Sequence, residues 1–255
     1  VKRPAPASSR IIPAHKHGWP CRAVHALIRS KLRGGVHAVR AQGLDALRVA
    51  LAADRSSFLF LANHSSWWDF FLAHWINVTV PVDGYGMTEH FNMRKFGFFR
   101  RIGAYGVDRS DPLAVRASLD YTIELLSTPG RGVWLFPQGK IVCNDVRPLG
   151  FEPGLRVLLK RAGRLRVVPT AIRYEFWQDE RPEVLVRLGA PVWVEREEAN
   201  SVLEIWEHNL TTELDALRVD ALSQDASRFE TVFHGKGSTH DRYDRVRSAV
   251  TGDRA

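Results

Sequence analysis

A chain of 255 residues, 45% hydrophobic and 25% charged, has the composition of a soluble globular protein and enough length for a sizeable core. Its two cysteines, Cys21 and Cys143, match no metal-binding spacing and fit a reducing compartment. The net charge of +8 is unevenly placed: residues 1–55 hold eleven Lys/Arg and two Asp, an excess of +9, against −1 for the remainder.

In chain order, residues 1–20 read as a flexible basic arm. A helix is predicted over Cys21 to Arg33, with Val24, Leu27, Ile28 and Leu32 on one face and Arg22, Arg29 and Arg33 on another. Such a segment can lie on an anionic membrane surface or pack on the domain with its basic face solvated. No helix-turn-helix, zinc or RNP-like pattern supports nucleic acid as the partner of the basic arm. No apolar region of secretory type follows the N terminus, so no signal peptide is expected. A strand over Val36 to Gln42 and a short helix over Leu44 to Ala52 precede a buried strand at Phe58 to Ala62. Trp68 to Ile76 reads as the next helix, with Ser65 or Ser66 as its N-cap.

Val78 to Val82 is expected to be a strand. The apolar run from Trp67 to Val82 is broken by Asp69, His74, Asn77 and Pro81, and no stretch reaches the roughly 18 residues of a membrane span. Arg94 to Ile102 is basic, aromatic and predicted helical. Ser110 or Asp111 caps a helix opened by Pro112, with Leu113, Ala117, Tyr121 and Leu125 recurring along it. Gly132 to Phe136 is a buried strand ending in a turn at Pro137-Gln138-Gly139-Lys140. Helix Leu155 to Ala162, strands Leu165 to Tyr174 and Val184 to Leu188, and a long helix over Ser201 to Leu222 follow. The last thirty-odd residues read as a loosely packed polar tail.

Alternating strands and helices predict an α/β domain over residues 34–222, with a mixed, largely parallel sheet flanked by helices. Residues 1–33 form the basic arm and helix, and 223–255 the tail. In such sheets ligands gather beyond the strand ends, where His64, Arg109 and the 137–140 turn all fall.

The most informative short pattern is Asn63-His64-Ser65-Ser66-Trp67-Trp68-Asp69. On one helix His64 and Asp69 would lie roughly 140° apart and could not meet. A turn between strand and helix lets them meet. Asp69 then accepts the proton of one imidazole nitrogen and leaves the other free as a base.

Four blocks in order resemble the glycerolipid and lysophospholipid acyltransferases, a family that includes 1-acylglycerol-3-phosphate acyltransferase. They are Asn63-His64 with Ser66 and Asp69, Gly103 through Arg109, Phe136-Pro137-Gln138-Gly139, and the apolar strand around Pro169, together spanning roughly Val36 to Pro191. Gln138 stands where that family usually has Glu, Lys140-Ile141 replaces its Thr-Arg, and Glu152-Pro153-Gly154 replaces a Lys-containing turn.

The resemblance implies acyl transfer from acyl-CoA or acyl-carrier protein to the hydroxyl of a lysophospholipid or related lipid. It makes His64 and Asp69 catalytic and needs no metal or redox cofactor. Arg109 would hold an anionic headgroup, with salt bridges to Asp108 or Asp111 as its ordinary alternative. Phe136, Pro137, Gln138 and Gly139 would contact the acceptor's polar end. Trp67 and Trp68 are candidates for a lipid entrance. The expected place of work is the cytoplasmic side, peripheral on the inner face of the cell membrane. A neutral or glycosylated lipid alcohol, such as a terpenoid or carotenoid glycoside, is the alternative acceptor. A non-enzymatic basic membrane-binding module would explain residues 1–33 but not the dyad. A serine hydrolase lacks its Gly-x-Ser-x-Gly elbow here.

Overall fold

The computed structural model describes residues 11–195 and 201–237. The first ten residues of the basic arm and the tail beyond 237 therefore lie outside the described residues. Helix α1 (Trp19–Gly35) leads into β1 (Ala38–Gln42), α2 (Leu44–Asp54), β2 (Phe58–Ala62) and α3 (Asp69–Thr79). There follow β3 (Asp83–Glu89), α4 (His90–Lys95), a 3₁₀ turn (Gly97–Ile102), β4 (Ala104–Val107) and α5 (Pro112–Leu126). The chain continues through β5 (Arg131–Leu135), α6 (Gly154–Ala162), β6 (Leu165–Glu175), β7 (Glu183–Leu188) and β8 (Val192–Val194). Helix α7 (Val202–Ser223) and β9 (Glu230–His234) complete it.

The strands form one sheet in the order β4-β3-β5-β2-β6-β7-β1-β9, with β8 paired to the start of β6. β4, β3, β5, β2 and β6 run parallel, whereas β7 opposes β6 and β9 opposes β1. This is the mixed, largely parallel sheet read from the sequence. β2 shows why it must be covered on both sides, since all five of its residues are buried. Phe58, Phe60 and Ala62 enter the core shared with α1, α2, α3 and α4, while Leu59 and Leu61 enter the core shared with α5, α6 and α7. The period of two splits one apolar run between two layers.

Several elements depart from expectation. Val78 to Val82 is not a strand: α3 runs to Thr79, and the Val80 N–H still bonds to Ile76 O at 2.9 Å. The strand comes later, as β3, in Asp-Gly-Tyr-Gly-Met-Thr-Glu. Its Gly84 and Gly86 are dictated by neighbours, because a Cβ at either would meet Asn77 or the Phe70 ring within 2.5 Å. Arg94 to Ile102 is not one helix; α4 ends at Lys95 and the 3₁₀ turn carries the rest. Leu27 leaves the predicted apolar face of α1 and is exposed, while Val24, Ile28 and Leu32 are buried. Leu113 is likewise exposed on α5, whose Asp111 does cap it by accepting from Leu113 N at 2.9 Å.

Two segments expected to be loose are docked. Ile12 bridges to Gly106, His15 N–H bonds to Arg100 O, and Lys16 pairs with Asp83. At the other end β9 adds to the sheet against β1, seats Phe233 edge-on to Trp75, and takes a two-pronged ion pair from Arg48 to Glu230.

Candidate active site

His64 leaves the C-terminal end of β2, and Asp69 opens α3. The His64 Nδ1 lies 2.8 Å from Asp69 Oδ2, so the ring donates from Nδ1 to the carboxylate. Asp69 is fully buried and its charge is met by a dense set of donors. Oδ2 also accepts the Ser65 and Ser66 N–H groups at 2.8 and 2.9 Å. Oδ1 accepts the Tyr174 hydroxyl at 2.6 Å. Burial, and then the neighbouring Asp69 carboxylate, push the Tyr174 hydroxyl well above the usual tyrosine range, so it stays a donor. The serine cap predicted for α3 is replaced by this arrangement. Trp68 is the N-cap residue, Ser66 Oγ accepts from Trp68 N at 3.2 Å, and the Asp69 side chain reaches back to gather the turn. Ser65 Oγ is buried with no hydrogen-bond partner and is not held by His64, which disfavours it as a nucleophile.

The strand-to-helix turn is fixed from outside as well. Asn63, buried, accepts Ile172 N–H at 2.7 Å and donates to Ile172 O at 2.9 Å and Asn144 Oδ1 at 2.8 Å. The β2 end is thus locked to β6. Val142 N–H donates to His64 O at 2.8 Å, tying the segment after Gly139 to the dyad.

Phe136, Pro137, Gln138 and Gly139 follow β5. Phe136 lies against the His64 ring with centroids 4.7 Å apart. Gln138 is buried rather than displayed to an acceptor, and its Oε1 accepts the backbone N–H of His64 at 2.8 Å. Gly139 has φ of 64°, the left-handed region that favours glycine in this turn, and a Cβ there would stand 2.9 Å from the flexible end of Arg109.

Arg109, from the end of β4, makes none of the expected salt bridges to Asp108 or Asp111 among the contacts its guanidinium shows. It donates to Gly139 O and to Glu152 Oε1, both at 2.6 Å, with Glu89 3.7 Å away. Asp108 instead accepts from Ser110. A cavity of about 580 Å³ joins these groups. His64, Trp67, Arg109, Phe136, Pro137, Gly139 and Lys140 line it, with Val115, Leu119, Leu135 and Leu155 forming an apolar wall. Trp67 therefore sits where a lipid entrance was expected. Trp68 does not: its ring lies under Gly35 at the end of α1.

The expected residues thus converge at the C-terminal ends of β2, β4 and β5. Tyr174 and Glu152's pairing with Arg109 were not read from the sequence. Tyr174 stands 105 positions from Asp69, and only the β2–β6 pairing brings them together.

A model of the acyltransferase family matches residues 38–173. The chain belongs to the acyltransferase family. Its α/β sheet is also that of the 1-acyl-sn-glycerophosphate (LPA) acyltransferase PlsC from Thermotoga maritima. That structure is 16% identical, matching over 78% of this chain and 81% of that one with a TM-score of 0.53, a likeness of fold. No curated protein matches the chain. The family match contains His64, Asp69, Arg109, Phe136 to Gly139 and Glu152, and of the residues described at the site Tyr174 falls one position beyond it.

Proposed function

We propose that this acyltransferase moves a fatty acyl group from an acyl thioester, acyl-CoA or acyl-carrier protein, to the hydroxyl of a lysophospholipid or related lipid. The observation that carries this reading is the His64–Asp69 pair at 2.8 Å, opening on a cavity with an apolar wall. A lipid hydroxyl is a weak nucleophile, so its proton must leave as it attacks. His64 Nε2 takes that proton, and the alkoxide oxygen bonds to the thioester carbonyl carbon. The tetrahedral adduct then expels the thiolate, which receives the proton from the imidazolium. Asp69 holds the ring's tautomer and stabilises its charged form. No metal or cofactor enters the scheme. The protein works peripherally on the inner face of the cell membrane; no helix among the described residues is long and apolar enough to cross one.

A second acceptor class is favoured by one observation. Arg109 already spends its guanidinium on Glu152 and Gly139 O, which suits a neutral or glycosylated lipid alcohol better than a phosphate. Folded His64→Ala should lose about 10²–10⁴ in turnover, measured as acyl transfer from a thioester to a panel of lysolipids and neutral lipid alcohols. Near-normal transfer would end the dyad assignment, and the preferred acceptor separates the two classes.

A further inference from the structure

We propose that the surface formed by α4, the following 3₁₀ turn and the outer face of α1 docks on an anionic lipid bilayer and sets the cavity mouth against it. This rests on the reading of the acceptor as a bilayer lipid, and names the part of the molecule that meets it.

Charge is the first argument. Neither Trp19–Gly35 nor the run His90–Ile102 contains an Asp or Glu. Arg22, Arg29, Lys31, Arg33, Arg94 and Lys95 are exposed and make no ion pair among the described residues. Asp108 feels the charge of Arg94 through space without pairing with it. Elsewhere Arg48, Arg131, Arg147 and Arg166 reach carboxylates, and Arg218, without an ion pair among the described residues, lies on a helix that also carries acidic residues. A surface whose cations are left uncompensated is complementary to phosphate headgroups.

Shape and apolar content are the second. Phe91 is 69% exposed at the start of this run, and Trp67, which packs against its later rings, is 45% exposed. Trp67 meets Phe96 and Phe99 at 5.8 and 6.1 Å, and Trp67, Asn92 and Phe99 line the cavity that holds His64. The basic-aromatic surface therefore runs into the cavity. α1 packs beside the 3₁₀ turn, and Arg100 Nε donates to Pro13 O, which ties the segment ahead of α1 to the same turn. Cations ringing exposed rings is the pattern of an interfacial segment; a soluble acidic carrier protein would answer the charge but not the protruding Phe91.

The test uses the full chain and vesicles of phosphatidylcholine with or without phosphatidylglycerol. Arg94→Ala/Lys95→Ala should lower partition onto the anionic vesicles roughly 30-fold, from about 1 kcal/mol per basic residue. Phe91→Ser should weaken it further. Lys160→Ala/Arg218→Ala removes the same charge from α6 and α7 across the sheet, and should change partition less than about threefold. Unchanged partition in the Arg94/Lys95 variant, or equal losses in both pairs, overturns the proposal. So does loss of binding to purified acyl-carrier protein with vesicle partition intact. Transfer to detergent-solubilised lysolipid separates this from the catalytic reading: the Arg94/Lys95 variant keeps it, whereas His64→Ala loses it and still binds vesicles.

Discussion

The buried amide of Gln138 accepts the backbone N–H of His64 at 2.8 Å. A residue in the turn after β5 thereby fixes the chain direction at the imidazole on β2. Gln138→Ala should leave that N–H without a partner, at about 1–3 kcal/mol, and lower kcat more than it raises either KM. Gln138→Glu keeps an acceptor and adds an anion, which favours the imidazolium. The acid limb of the pH–rate profile should move to higher pH. Identical profiles for Gln and Glu would show that the side chain's charge is not felt at the ring.

Tyr174 gives a prediction for the far side of the carboxylate. Tyr174→Phe removes one of four donors to Asp69 and should reduce kcat on the order of tenfold. Asp69→Asn should cost far more, because the ring loses its orienting anion. Steady-state kinetics with thermal unfolding as the folding control decides it; equal losses in the two variants would contradict the graded roles.

Arg109→Ala should raise KM for an anionic acceptor much more than KM for the thioester, with Arg109→Lys restoring only part, since a point charge cannot reproduce the fork. Glu152→Gln is the sharper experiment. It releases the guanidinium from its partner at 2.6 Å and should lower KM for a phosphorylated acceptor while leaving a neutral one alone. An unchanged KM for both would place the acceptor's headgroup elsewhere.

His74 on α3 faces His25 of α1, Nε2 to Nδ1 at 3.1 Å. Burial first, then His25 and Lys16, lower its pKa from 6.5 to about 4. The folded state thus binds fewer protons than the unfolded chain between those values. Its contribution is fully present above about pH 6.5 and is lost as pH falls toward 4, by up to about 3 kcal/mol. Urea midpoints across this window should fall more steeply for the native chain than for His74→Gln. Parallel curves would refute the assignment.

Ile28 and Leu32 of α1 are wholly buried, so alanine at either should cost roughly 2–5 kcal/mol. Urea denaturation measures this directly. Removing residues 1–33 consequently tests folding before it tests membrane attachment, and point changes on the helix's exposed face are the cleaner probe.

The sequence made the sheet's centre legible because β2 is an unbroken apolar run and β5 and β6 are apolar over most of their length, and it made the dyad legible because His64 and Asp69 sit on one turn. It hid β3, whose glycines are chosen by Asn77 and Phe70 across the layer rather than by strand propensity. It hid β9 because Glu230 to His234 holds only Val232 and Phe233 as apolar residues, adjacent in a polar tail, and is a strand through its pairing with β1. Gln138 read as a contact to the acceptor's polar end; its partner is a backbone N–H 74 positions away, which no local pattern encodes. Arg109 read as a headgroup clamp, or else as paired with Asp108 or Asp111, because its partner Glu152 lies 43 positions away.

Asp69 receives its donors from the backbone of its own turn and from Tyr174 before any substrate arrives. On the proposed mechanism these dipoles are preorganised by folding, and proton transfer would require little rearrangement around the carboxylate. The cavity's apolar wall comes from other stretches, α5, β5 and α6. On that mechanism, changes in those elements would alter acceptor preference and leave the turn carrying His64 and Asp69 as it is, a modular division of one chain between chemistry and adjustable taste.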